Sequence, residues 1–290
     1  MKPNLVSVVI PVYNEEQAIG DDLDLIIKTM EASDYDYEII VVDDGSTDSS
    51  ADIVRQRSQV KLIRHPYNRG TGAARTTAIK QAKGDVIVMT DGDGTYPNQD
   101  IPRLLGYMDE YDMVVGARER EARTLRWLRT PTKLFIRLLA CYLAGTNTPG
   151  LNPGLRAFGR DEALSVLDIL PTTHSWVGTI TLAFLSNARM VGYVPIEYHA
   201  RKGKSRFHPI GDTYNYLTLV VRAVMYFDPL KVFLPLTLLL LVVGAVGALY
   251  DIFADSFHFA ASTVMLVLTG IQLGAVGLLA DLIVRRSKTS

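Results

Sequence analysis

Two carboxylates one residue apart, Asp91 and Asp93, follow an apolar run in the segment Thr90-Asp91-Gly92-Asp93-Gly94. Like charges that close together repel, so the pair is costly unless a cation lies between or near them. Mg²⁺ or Mn²⁺ held by one or two carboxylates plus substrate phosphates answers that charge. Such an ion also neutralises the charge that develops on a departing diphosphate. An Asp-x-Asp is common in loops, and the place of this one after a buried strand is what gives it weight.

A second acidic segment, Val41-Val42-Asp43-Asp44-Gly45-Ser46-Thr47-Asp48, also ends an apolar strand and precedes a helix. An Asp carboxylate there can accept N–H donors of a nucleobase or hydroxyls of a ribose, while Ser46, Thr47 or Asp48 caps the helix. A third is Pro11-Val12-Tyr13-Asn14-Glu15-Glu16, where Tyr13 can stack on a base and Glu15 can accept from ribose or base. The fourth, Asn68-Arg69-Gly70-Thr71-Gly72-Ala73-Ala74-Arg75, has two glycines before a helix that permit close backbone approach. No Gly-Lys-Ser/Thr follows, so it is not a Walker loop.

The elements that must position these segments are short β-branched runs, Leu5–Val12, Tyr37–Val42, Val60–Ile63, Asp85–Thr90 and Met113–Gly116. Helical stretches alternate with them, at Glu15–Ala32, Ser49–Arg57, Ala73–Ala82 and Gln99–Met108. Continuous apolar strands separated by helices predict an α/β fold, a mostly parallel sheet covered on both faces. Ligands bind past the carboxyl ends of such strands, where all four segments fall.

Residues 119–230 read differently. Thr124–Leu143 is a basic amphipathic helix candidate broken by Pro131, and Tyr214–Phe227 carries a second apolar stripe. Both can lie in a membrane interface; ordinary core packing is the alternative for each, and it explains the second as simply as the interface does but the basic first segment less well. From Ala122 to Arg160 there is no Asp or Glu, yet seven Arg and Lys occur, among them Arg129, Lys133 and Arg137. A solvated basic helix and a surface that meets phosphates or anionic lipid both fit that run.

The chain of 290 residues has net charge −1, so no global field draws it to nucleic acid. Cys141 is the single cysteine, which excludes an internal disulfide and a cysteine-based zinc site. Val232–Tyr250 and Phe259–Ala280 hold no charged residue and are each about the ~20 residues a membrane-spanning helix needs. The connecting loop Asp251–Ala261 has no Lys or Arg, whereas Lys231, Arg285, Arg286 and Lys288 flank the two spans. The positive-inside rule then places both termini and the N-terminal domain in the cytoplasm, in a multi-pass protein of the cytoplasmic membrane. The N-terminus runs straight into a strand, with no signal peptide expected. The expected organisation is a nucleotide-sugar-binding core at 1–118, an acceptor-binding region at 119–230, and two transmembrane helices at about 232–250 and 259–282 with a tail. Gly270-Ile271-Gln272-Leu273-Gly274 has a small-xxx-small spacing that can pack this hairpin or join subunits into a homo-oligomer.

Taken together, the four segments resemble glycosyltransferase family 2, and their order resembles its dolichyl-phosphate mannose synthase-like branch, which includes bacterial polyprenyl-phosphate glycosyltransferases. Val115-Gly116-Ala117-Arg118, Asn152-Pro153-Gly154-Leu155-Arg156 and Arg201-Lys202-Gly203-Lys204-Ser205-Arg206 extend the likeness. It implies a GT-A fold, Mg²⁺ or Mn²⁺, a nucleotide-sugar donor, a polyprenyl phosphate acceptor and inversion at the anomeric carbon. Carried over by position, Pro11, Tyr13, Glu15, Val42, Asp43 and Asp44 line the nucleoside site. Asp91, Gly92 and Asp93 hold the metal and diphosphate, and Arg201 and Ser205 lie on a loop closing over it. Arg118, with Arg129, Lys133 and Arg137, meets the acceptor phosphate, and Asp93 and Arg118 serve catalysis. Guanidinium groups suit phosphate on charge and shape alone.

Two departures stand out. No carboxylate occurs in Gly150–Arg156, where branch members often have an acid, and Arg206 stands where Lys is usual. A phosphate monoester has its second pKa near ~6 and attacks as a dianion without a base, whereas a sugar hydroxyl needs one. The missing acid therefore favours a phosphate acceptor. A polysaccharide synthase and an inactive nucleotide- or lipid-binding membrane scaffold are the alternatives. The first lacks its usual Gln-x-x-Arg-Trp motif and further spans, and Gly150 is the best support for the second.

Overall fold

The computed structural model describes residues 3–118, 153–173, 175–199, 225, 229–254 and 259–289. They fall into two units, Met1–Leu219 and Val220–Ser290. In the first, strands β1 (Val6–Val12), β2 (Tyr37–Asp43), β3 (Val60–Arg64), β4 (Val86–Met89) and β5 (Met113–Arg118) alternate with helices α1 (Ile19–Glu31), α2 (Ser50–Arg55), α3 (Thr71–Gln81) and α4 (Ile101–Leu105). These are the runs the sequence marks, shifted by a few residues at their ends. The exception is Gln99–Met108, which opens as a 3₁₀ turn at Asn98–Asp100 and holds only α4.

Four elements were not anticipated: β6 (Arg156–Gly159), α5 (Arg160–Val166), α6 (Trp176–Ser186) and β7 (Val191–Ile196). The sheet has seven strands in the order β3-β2-β1-β4-β6-β5-β7. Strands β1, β2, β3 and β4 run parallel, β6 is antiparallel to both β4 and β5, and β5 is parallel to β7. Because β6 and β7 belong to the sheet, residue 118 does not end the core. Pro195, which cannot donate to a ladder, sits in the edge strand β7, where that loss is tolerated.

Helix α1 shows why the sheet stays covered: Ile19, Leu23, Ile26 and Met30 recur at helical spacing and are fully buried against β1, β2 and β4 residues such as Val8, Val41 and Val88. The start of α3 is set by a second contact. The Thr172 carbonyl accepts from Gly72 N at 2.9 Å and from Ala73 N at 3.3 Å, so the helix N-terminus is filled by protein backbone.

The second unit is a hairpin of α7 (Leu230–Ala254) and α8 (Ala261–Thr289). Leu230–Phe253 and Ala261–Val284 have mean hydropathies of 2.6 and 2.0 and expose most of their surface. At 24 residues each they extend about 36 Å, enough for a ~30 Å hydrocarbon layer. Gly270 faces Leu241, Gly274 faces Thr237 and Gly277 faces Phe233, so the small-residue spacing packs the two helices of the hairpin together. Asp251 is buried and accepts from Ala260 N at 2.9 Å, tying the turn to the start of α8. The candidate interfacial helices Thr124–Leu143 and Tyr214–Phe227 lie outside the described residues, apart from position 225.

A Cβ at Gly72 would stand 2.4 Å from the Pro171 carbonyl oxygen and 2.6 Å from Thr172 C. Gly72→Ala should therefore cost about 1–3 kcal/mol, the range for overpacking. Gly106→Ala, whose Cβ would meet nothing closer than 3.5 Å, should stay within about 0.5 kcal/mol of the parent. Urea unfolding followed by circular dichroism separates them. Equal stabilities would show that α3 does not start against that carbonyl.

Candidate active site

The carboxyl ends of β1, β2, β3 and β4 lie along one edge of the sheet, and the loops leaving them form the site. The loops after β1 and β2 are cross-linked through their own polar groups. Asn14 N donates to Ser46 Oγ at 2.9 Å, and Thr47 N returns a bond to Asn14 Oδ1 at 2.8 Å. Glu15 N donates to Ser50 Oγ at 2.8 Å, and Ser49 N donates to Glu16 Oε2 at 3.1 Å. Ser46 and Thr47 are thus spent on the neighbouring loop. Asp48 bonds the neighbouring loop too, accepting from Glu16 N at 3.2 Å, and is the one of the three that closes the start of α2, accepting from Ser50 N at 2.9 Å. Tyr13 and Glu15 stand half-buried on this braced surface, with Pro11 and Val42 buried in the strands beneath.

The two adjacent aspartates part company. Asp43 is fully buried at the end of β2, and its Oδ1 accepts from Ser46 N at 3.0 Å. The Arg64 Nε stands 3.0 Å from Oδ2. Its N–H is not aimed along that line, so this oxygen has an ion-pair neighbour but no hydrogen bond. Arg64 and Ser46 also line a pocket of about 500 Å³ with Gly45, Thr47, His65 and Pro66. Asp44 turns the other way. Its carboxylate accepts from Arg69 N at 3.0 Å and Gly70 N at 2.8 Å and meets His65 Nδ1 at 2.6 Å, while His65 Nε2 meets Thr77 Oγ1 at 3.0 Å. Asp44 thus shapes the loop that leads into α3.

That helix carries a residue whose role the sequence reading missed. Arg75 is buried and donates through Nη2 to Asp91 Oδ1 at 2.8 Å. Its guanidinium carbon lies 5.9 Å from the centre of the Trp176 ring, and Trp176 Nε1 donates to Thr76 Oγ1 at 3.0 Å. The available signal was an Arg directly after the small-residue run Gly72-Ala73-Ala74, all of it buried at the start of α3. Asp91, with a side chain 26% exposed, is held from a second direction. A Cβ at Gly154 would stand 2.5 Å from Asp91 Oδ2 and 2.8 Å from Tyr96 Oη, so a larger residue there would displace one or both side chains.

Gly154 is placed in turn by Tyr96, whose hydroxyl oxygen accepts from Gly154 N, and by Arg156. Arg156 is fully buried and donates to Pro153 O, to Val177 O at 3.1 Å and to Thr181 Oγ1 at 2.8 Å. Burial first, and the Arg75 charge second, pull its pKa down to about 10, so it remains a cation at neutral pH. The Tyr96 phenol is pushed well above its ordinary value, by burial first and by the Asp91 charge second. The Tyr96 ring meets Tyr198 edge-on at 5.1 Å, and His199 N donates to Thr95 O at 2.9 Å, so the segment leaving β7 is tied to the acidic loop. Asp93 lies on that loop, and its Oδ1 accepts from Thr95 N at 3.1 Å and from the Thr95 hydroxyl.

Among the described residues no group of three His, Cys, Asp or Glu forms a metal cluster. Two carboxylates are the protein share expected when diphosphate oxygens and water complete the shell of a small divalent ion. The geometry fits that arrangement: Asp91 keeps Oδ2 turned from Arg75, on a side chain that reaches solvent. Gly92 is buried against Ile19 between the two acids. Arg118 closes β5, which runs parallel to β4, so it reaches the same edge as the acidic loop. Arg129, Lys133, Arg137, Arg201 and Ser205 lie outside the described residues, as does Gly150.

The chain matches the family described as Glycosyl transferase family 2 over residues 7–164, and the GtrB C-terminal hairpin over residues 228–285. It is 30% identical to the undecaprenyl-phosphate 4-deoxy-4-formamido-L-arabinose transferase of Proteus mirabilis, over 98% of this chain and 90% of that one. Its identity to the protein of the same name from Edwardsiella ictaluri is 29%, over 97% and 89%. The fold is shared with glucosyl-3-phosphoglycerate synthase from Mycobacterium tuberculosis, solved with Mn²⁺, uridine-diphosphate-glucose and phosphoglyceric acid. That likeness has a TM-score of 0.59 and 19% identity over 76% of this chain and 80% of that one. With a match across more than half of its length, an acidic loop at the sheet edge and a GT-A-like sheet, the chain belongs to glycosyltransferase family 2.

Proposed function

We propose that the protein moves a sugar from a nucleotide-sugar donor to a polyprenyl phosphate at the cytoplasmic face of a membrane, with inversion at the anomeric carbon. The observation that carries this reading is the acidic pair Asp91 and Asp93 at the carboxyl edge of the sheet, in a chain that ends in an apolar hairpin. The names of the Proteus and Edwardsiella relatives support the acceptor class. The Mn²⁺ and uridine-diphosphate-glucose in the structural neighbour support the donor class and the metal.

In this reading Tyr13 stacks on the base, and Asp43 Oδ2 and Glu15 accept from base or ribose. Val42 and Pro11 form the floor, and Asp44 holds the loop beside them. Asp91 and Asp93 would hold Mg²⁺ or Mn²⁺, which when bound neutralises the diphosphate as it leaves. Arg118, Arg129, Lys133 and Arg137 bind and orient the acceptor phosphate, and Arg201 and Ser205 close over the diphosphate. The acceptor oxygen attacks in line as a dianion, so no carboxylate near Gly150 is needed. The enzyme supplies positioning and fixed charge. The hairpin spans the bilayer with both termini on the cytoplasmic side.

Two experiments test this. Purified protein in vesicles with Mn²⁺, polyprenyl phosphate and radiolabelled nucleotide sugars should yield label extractable into organic solvent, and Asp93→Asn should abolish it without lowering the melting temperature. Label in a long water-soluble polymer would mark a polysaccharide synthase, no transfer from any donor would mark a scaffold, and full activity of Asp93→Asn would remove the metal site. The second compares neighbours. Asp44→Asn should cost about 1–3 kcal/mol of stability, because the single amide oxygen can accept from only one of the Arg69 and Gly70 backbone N–H groups, which bond different carboxylate oxygens, and the amide nitrogen cannot accept from the other. Asp43→Asn keeps the Ser46 bond and should instead raise the donor KM about tenfold with little change in melting temperature, the scale of one lost charged hydrogen bond. The reverse pattern would exchange the roles of the two aspartates.

A further inference from the structure

Helix α1 places a carboxylate on its buried face. Ile19, Leu23, Ile26 and Met30 pack into the core, and Asp22, at the same helical spacing, is only 5% exposed. A buried carboxylate among apolar residues is costly unless it is hydrogen-bonded. Its partners lie more than seventy residues away, on the acidic loop: Asp22 Oδ2 accepts from Gly94 N at 2.8 Å, and Oδ1 accepts from Asn98 Nδ2 at 3.3 Å. Asn98 is fully buried, and its Oδ1 accepts from Thr90 Oγ1 at 2.7 Å. Thr90, Gly94 and Asn98 bracket the Asp91–Asp93 pair on both sides, so one side chain of α1 ties the entry, middle and exit of the loop to the core. Gly94 sits at φ 74°, a left-handed conformation that the bond from its N–H helps to fix.

We infer that Asp22 is a positioning residue for the transfer reaction: through Gly94 N and Asn98 it holds the acidic loop in the shape that receives the divalent cation. The inference rests on the metal reading of Asp91 and Asp93 given above. Asp22 acts by accepting hydrogen bonds, so an isosteric amide can replace it. An Asn at 22 still accepts from Gly94 N, and a flipped Asn98 amide can accept from its NH₂ and donate to Thr90 Oγ1. An Ala at 22 takes the Asp22 acceptor from the Gly94 N–H and the Asn98 NH₂ and gives the loop freedom that a bound cation must remove.

The test titrates Mn²⁺ into the full-length protein in detergent, with UDP and separately with GDP, and reads free Mn²⁺ by electron paramagnetic resonance. Asp22→Ala should bind Mn²⁺ about tenfold more weakly, the scale of one lost charged hydrogen bond. Asp22→Asn should stay within about threefold of the parent, and Asp93→Asn should lose binding. Raising Mn²⁺ should restore the turnover of Asp22→Ala, which a general packing defect would not allow. If Asp22→Ala does not fold, Asn98→Ala reaches the same brace from the loop side and should weaken Mn²⁺ binding about threefold. Parent-like binding by Asp22→Ala, or by Asn98→Ala in its place, with loss in Asp93→Asn overturns the role of Asp22 and leaves the proposed function standing. Equal losses in Asp22→Asn and Asp22→Ala overturn the hydrogen-bonding account. Failure of the parent protein to bind Mn²⁺ with either nucleotide overturns both.

Discussion

The ion pair between the buried Arg75 and the partly exposed Asp91 is the contact on which the site depends. A guanidinium taken out of water needs a charge partner, and the carboxylate that serves as one is thereby held in one orientation. The chain of supports runs in both directions. Asp44 holds the turn at Gly70, the Thr172 carbonyl sets the start of α3, and α3 delivers Arg75. On the far side, Asp91 presses against the Gly154 backbone, which Tyr96 and Arg156 hold in place. The loop beside the pocket after β2 and the loop with the acidic pair are therefore parts of one packed structure.

This arrangement explains why so many polar groups are buried in a domain whose core is otherwise Val, Ile and Leu. Asp22, Asp43, Asp44, Arg75, Asn98 and Arg156 are each buried, and each bonds a loop at the carboxyl edge or a neighbouring turn. Such bonds add little net stability and exact a large penalty when half-broken, so they fix geometry more than they raise the melting temperature. A site that must place two like charges beside each other needs that kind of support.

Strands β1, β2 and β4 were legible because each is a short apolar run largely buried on both faces, a pattern that survives in sequence without alignment, and β3 because its β-branched run repeats their spacing at the sheet edge. Their ends located the acidic segments for the same reason. Strands β6 and β7 were not legible. Arg-Ala-Phe-Gly is four residues long and opens on a buried cation whose acceptors, Pro153 O, Val177 O and Thr181 Oγ1, only the fold supplies, and Val-Gly-Tyr-Val-Pro-Ile carries both residues that argue against a strand. The division of labour between Asp43 and Asp44 was equally hidden, because their side chains leave adjacent positions in opposite directions and only the tertiary partners tell them apart. The two C-terminal helices read plainly from hydropathy, and the structure seats Gly270, Gly274 and Gly277 on the partner helix of the same hairpin.

The central claim is that the Arg75-held loop presents Asp91 and Asp93 to one divalent cation beside the nucleotide. Anomalous diffraction at the manganese absorption edge, on crystals grown with Mn²⁺ and a nucleoside diphosphate, tests it directly. The account predicts one strong peak at coordination distance, on the order of 2 Å, from carboxylate oxygens of both aspartates, with Arg75 still on Asp91. A peak elsewhere, or the acidic pair turned away from the bound diphosphate, would contradict it.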